Sequence, residues 1–119
     1  MEYKHIETDL SIENEYPKLV RDNIPEIIEK DRGKKPETRT LEGAEFQKYL
    51  LKKIVEEATE LRNAKDREHM AEEMADMFAI IDELLATNDL KLEDIRKIQT
   101  QKAEKRGGFG KRILMLGKV

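Results

Sequence analysis

The sequence predicts a mainly α-helical single domain, an antiparallel helical bundle, and three observations carry that prediction. Apolar residues recur at intervals of three and four along two long stretches, 43–64 and 67–86, the spacing of one helix face. Only a short loop separates the stretches, so the two helices should lie antiparallel. Of the residues, 41% are charged, 38% hydrophobic and 5% aromatic, which suits helices with long charged outer faces better than a β-sandwich. A chain of 119 residues fits one domain, residues 1–119, with a modest core. So thin a core raises the expectation that some apolar surface is buried against a second copy of the chain.

Taken in order, residues 1–15 form a polar tail without a clear period. In YPKLVRDNIPEIIEKD (16–31) Pro25 suits the first turn of a helix, with Asp22 or Asn23 near its cap. Ile24, Ile27 and Ile28 would then face a partner element. GKKPETRT (33–40) reads as a loop. The first long helix, Gly43 to Ala64, sets Phe46, Tyr49, Leu50, Ile54, Ala58 and Leu61 on one face. Asp66 is placed to cap the second, whose apolar positions are Met70, Met74, Met77, Phe78, Ile81, Leu84 and Leu85. A further helix runs from Leu92 to Lys105 and stops at Gly107-Gly108. RILML (112–116) has the character of a strand that could pair with 38–41, adding a small two-stranded β element to the α fold.

Charge and composition exclude several functions. The net charge of -3, from 23 basic and 26 acidic residues, lacks the Lys and Arg excess that a nucleic-acid polymer requires. Without cysteine there are no disulfides, thiolate metal sites or thiol nucleophiles. Residues 1–15 lack an apolar core of signal-peptide length and no later run is long enough to span a bilayer. The expectation is a cytoplasmic protein with no membrane partner. No serine, histidine and acid arrangement stands out, and His5 and His69 carry little information.

The acids are patterned. EEATE (56–60) holds an E-x-x-E at Glu57 and Glu60, and EEMAD (72–76) an E-x-x-D at Glu73 and Asp76. A spacing of three puts both acids of a pair on one side of a helix. In antiparallel neighbours the two pairs converge on a nest of four hard oxygen ligands, which suits Mg²⁺ or Mn²⁺. Either pair alone is what a charge-rich solvated face produces by chance, so position decides. At about 100° per residue from Phe46, Glu57 falls at about 20° and Glu60 at about 320°, inside an apolar sector from about 300° to about 120°. Glu56 lies just outside it, at about 280°. Counted from Met70, Glu73 is inside the second helix's sector at about 300°, Asp76 at its edge at about 240°, and Glu72 turned away at about 200°. Acids on a core-facing side are costly unless paired or metal-bound. Asp82 also falls in the sector and has no assigned role. Lys53, one turn before Glu57, offers an alternative, neutralisation by pairing.

KKIVEEATEL and EEMADMFAIIDELL resemble the E-x-x-E…E-x-x-D signature of the MazG-like all-α nucleotide pyrophosphohydrolases and the related phosphoribosyl-ATP pyrophosphohydrolases. KLVRDNIPEII (18–28) and KAEKRGGFGKRI (102–113) are similar to flanking segments of a phosphoribosyl-ATP pyrophosphohydrolase-like subgroup. The resemblance implies metal ligation by Glu57, Glu60, Glu73 and Asp76, and hydrolysis of a nucleoside triphosphate between its α and β phosphates. It also implies a homodimer or homotetramer with sites near subunit contacts. Glu56, Glu57 and Glu60 are the candidates to orient or deprotonate the attacking water.

A triphosphate also needs cations. Lys53 shares the acids' sector; Lys18, Arg21 and Asn23 upstream and Lys102, Arg106 and Arg112 downstream are further candidates for substrate contacts. Two other readings compete: phosphoribosyl-ATP hydrolysis, from which the N-terminal segment and RGGF tail depart, and a non-catalytic helical association module, which would not need four acids.

Overall fold

The computed structural model describes residues 16–119, so the polar tail 1–15 and His5 lie outside the described residues. The chain forms α1 (Ile24–Arg32), α2 (Gly43–Arg62), α3 (Arg67–Thr87) and α4 (Leu92–Arg106). The all-α architecture read from the sequence is the one observed.

Local chemistry sets each boundary. Pro25 occupies the first turn of α1 behind Asn23, and Gly33 ends the helix at φ 70°, its N–H donating to the Glu29 carbonyl at 2.8 Å. That left-handed position favours a residue without Cβ. Gly43 opens α2 at φ 54°. At the start of α3 the Asp66 carboxylate accepts the His69 N–H at 2.8 Å, satisfying a donor that the first helical turn leaves unpaired. The link between α2 and α3 is only residues 63–66, which turns the chain back on itself. At the other end, Asn88 donates to Gln47 at 3.0 Å and closes the pair. α2 and α3 are therefore an antiparallel hairpin of helices, each about 30 Å long at 1.5 Å per residue.

This hairpin holds the interior of the described residues. Its buried apolar residues are Leu50 and Ile80, and its buried charged residues are Glu56, Glu57, Glu60 and Glu73. The apolar stripe is otherwise shared with solvent: Met70, Met74 and Phe78 are exposed, as are Leu51 and Val55. α1 and α4 bury no residue.

One expectation fails. No strand forms among the described residues. Segment 38–41 forms no regular element, and 112–116 runs exposed beyond α4. A lone strand's backbone groups gain nothing over water without a neighbouring ladder.

Candidate metal and phosphate site

The nest is built by α2 and α3 from residues three and four apart. Carboxylate oxygens of Glu57, Glu73 and Asp76 lie within 4.8 Å of one another, and so do those of Glu56, Glu57 and Glu60. Glu57 belongs to both groups, so the four acids singled out by spacing meet in two overlapping triads. Glu73 is 0% exposed, and no N–H group or cation reaches either of its oxygens, so a proton kept on Glu57 or Glu60 is what it can share. The groups that face it are other acids, Glu57 and Glu60.

The electrostatics follow from that crowding. Burial, reinforced by Glu73 and Asp76, pushes the Glu57 carboxyl up to about 8 against the opposing pull of Lys53. Burial, with Glu73 and Glu57 alongside, pushes Glu60 up to about 10. Removing acids from water and from counter-charge favours their neutral forms. A dication among them reverses the preference, because its charge outweighs every other local term. The orphaned oxygens of Glu73 and an all-carboxylate donor set therefore fit a hard divalent ion such as Mg²⁺ or Mn²⁺.

Cations ring the nest rather than fill it. Lys53 Nζ is 3.1 Å from Glu56 Oε1 and 3.7 Å from Glu57 Oε1. The neutralisation anticipated for Lys53 is thus divided between two acids, while Glu73 receives none of it. Lys18 Nζ approaches Glu56 at 3.8 Å, and Arg21 donates to Asp76 at 2.6 Å. A groove of about 570 Å³ runs between Pro17–Leu19 and α2, with Tyr49, Leu51, Lys53, Val55 and Glu56 in its wall.

The other candidates lie apart. Asn23 is exposed at the head of α1 and makes no capping bond through its side chain. Lys102 and Arg106 are exposed on α4, and Arg112 is exposed in the tail at φ 56°; no described ion pair brings these three to the nest. The helical wheel also misplaced three acids. Glu56 is buried at 5% exposure, because Lys18 and Lys53 close over it. The spacing of Lys53 and Glu56, three residues, was the available signal. Glu72 is half-buried with a covered oxygen instead of facing away. Asp82, in the apolar sector by angle, is exposed because that part of the stripe is uncovered.

Two antiparallel helices facing each other across a nest of acids fit the MazG-like all-α nucleoside triphosphate pyrophosphatase superfamily, in which the family match below places the chain. The phosphoribosyl-ATP pyrophosphohydrolase family model matches residues 22–103, more than half of the chain. The chain belongs to that family and is a pyrophosphohydrolase, a hydrolase acting on phosphoanhydrides. No curated protein and no solved structure matches it. Among the described residues no helix is long and apolar enough to cross a membrane.

Proposed function

We propose that the protein hydrolyses the bond between the α and β phosphates of a nucleoside triphosphate, releasing a nucleoside monophosphate and pyrophosphate with Mg²⁺. The observation that carries this reading is Glu73, fully buried, without a cationic partner, and ringed by acids. A side chain in that position is tolerable when a metal shares it. Phosphoribosyl-ATP stands first among substrates on account of the family match, and its cleavage is the same chemistry.

Glu57, Glu60, Glu73 and Asp76 would hold the ion. An ion such as Mg²⁺ held there would supply positive charge against that building on the phosphate oxygens in an in-line attack. Lys53 and Lys18, already at the rim, bind phosphate oxygens as point charges. Glu56, or one of Glu57 and Glu60, accepts the proton of the attacking water. The groove beside Tyr49 and Val55 takes the nucleoside, with apolar walls for the base and lysines at its phosphate end.

The reading includes a second copy of the chain. Leu92, Ile95 and Ile98 stand exposed on α4, and Ile113 to Leu116 on the tail, while the hairpin leaves Phe78, Met70 and Met74 open. Exposed apolar residues in such number suit an association face, and a homodimer or homotetramer would cover them.

Pyrophosphate release from a nucleotide panel that includes phosphoribosyl-ATP, with Mg²⁺, with EDTA and for Glu60→Gln, tests the activity. Turnover lost with EDTA and in the variant supports it. Folded protein inactive on every nucleotide would instead favour a helical association module.

A further inference from the structure

The mouth of the nest is closed by a guanidinium. Asp76 is the least buried acid of its triad, its side chain 32% exposed, and Arg21 Nη2 reaches its Oδ1 at 2.6 Å. The Arg21 side chain is itself 63% exposed. Its backbone is held, because the Arg21 carbonyl accepts the Ile24 N–H at 3.1 Å where α1 begins. A tethered backbone thus carries a solvent-facing fork. An ion pair this open costs little to break. The remaining guanidinium donors are available to a second acceptor, and the planar fork matches phosphate oxygens in pairs.

Resting on the pyrophosphohydrolase reading, we propose that Arg21 couples metal and nucleotide binding: it neutralises Asp76 in the metal-free site and transfers to the nucleotide phosphates when a divalent ion takes Asp76. Two positive groups cannot share one carboxylate oxygen at contact distance without strong repulsion. Even through the second Asp76 oxygen an ion stands close enough to repel the guanidinium, so the metal alone weakens the Arg21 pair. A nucleotide arriving with the metal gives the displaced guanidinium a new partner. The nucleotide then tightens metal binding, and the metal tightens nucleotide binding by the same factor. Lys18 and Lys53 can bind phosphate too, but neither pairs with Asp76, so metal binding there displaces neither of them. Arg21 is in this sense a positioning residue for the metal site and a direct phosphate ligand.

The test is Mn²⁺ affinity, read from the free-ion paramagnetic resonance signal, with and without α,β-methylene ATP as a non-cleavable probe. It is made on the full chain, on Arg21→Gln and Arg21→Lys, and on Arg39→Gln as a control. Arg39 pairs with Glu45 at 2.7 Å, away from the nest. In wild type and Arg21→Lys the analogue should strengthen Mn²⁺ binding about tenfold, within the usual range of coupling between sites. Arg21→Gln should bind Mn²⁺ alone about three- to tenfold more tightly and lose most of that enhancement; Arg39→Gln should behave as wild type. Arg21→Gln with wild-type Mn²⁺ affinity and wild-type enhancement would overturn the proposal and leave the hydrolase reading standing. Wild-type protein that binds no Mn²⁺ with or without the analogue would overturn both.

Discussion

The α2–α3 hairpin and the α4-to-tail region have opposite relations to water. In the hairpin, glutamates are inside while Phe78, Met74 and Val55 face outward. In α4 and the tail nothing is inside: charged and apolar residues alike are exposed, including Ile95, Ile98 and Leu114. The hairpin leaves part of its apolar stripe open, but its sharper deficit is electrostatic, in acids buried without counter-charge. α4 is satisfied electrostatically but incomplete in packing. Each region thus needs something from outside the chain: the first a cation, the second an apolar partner.

The strongest way to break that comparison is Glu73→Gln. Activity should fall by at least about 100-fold, as expected when a metal ligand is lost, measured as pyrophosphate release. The metal-free variant should nonetheless melt higher than wild type, by about 4 °C for each kcal/mol relieved, since it no longer buries an unpaired acid among acids. A lower melting temperature would mean the nest is satisfied without metal. The complementary change, Ile95→Asp with Ile98→Asp, addresses the other region. Light scattering should show the assembly reduced to monomer or weakened about 100-fold, because charge placed in an apolar contact cannot be solvated. Unchanged mass would remove α4 from the interface.

The pH dependence sharpens the electrostatic side. Glu57 and Glu60 retain protons in the folded state up to about 8 and about 10, against 4.5 in an unfolded chain. The folded state therefore binds more protons across that window, and metal-free stability should decline as pH rises from about 5 towards 9. Mg²⁺ should flatten the decline and release protons on binding near neutrality. A melting temperature that rises with pH in EDTA would contradict the burial of these acids. The smallest effect belongs to Asp66→Ala, which removes the α3 cap and should cost about 1 kcal/mol, with little change in metal affinity.

Much of this was legible in sequence. The helices fall within a residue or two of the periodic stretches, and the Asp66 cap and the Gly107 stop are where side-chain chemistry puts them. Glu57, Glu60, Glu73 and Asp76 were visible as acids at core angles. Glu56 was not, because a helical wheel knows only its own helix, and Lys18, contributed by the N-terminal segment, helps bury it. The strand expected at 112–116 failed for a similar reason. Apolar composition signals a need for burial, without saying whether a strand, a helix or another chain provides it.

All four acids of the nest lie within residues 57–76, on either side of the short turn at 63–66. Every donor is assembled by closing one local loop, so little chain entropy stands between the unfolded segment and a complete set of ligands. The site is in effect a cassette. Its register depends on the length of that turn, and a residue inserted there must be absorbed in the loop or else shift Glu73 and Asp76 away from their counterparts. The linker, with no chemistry of its own, thus sets whether the two halves of the cassette meet.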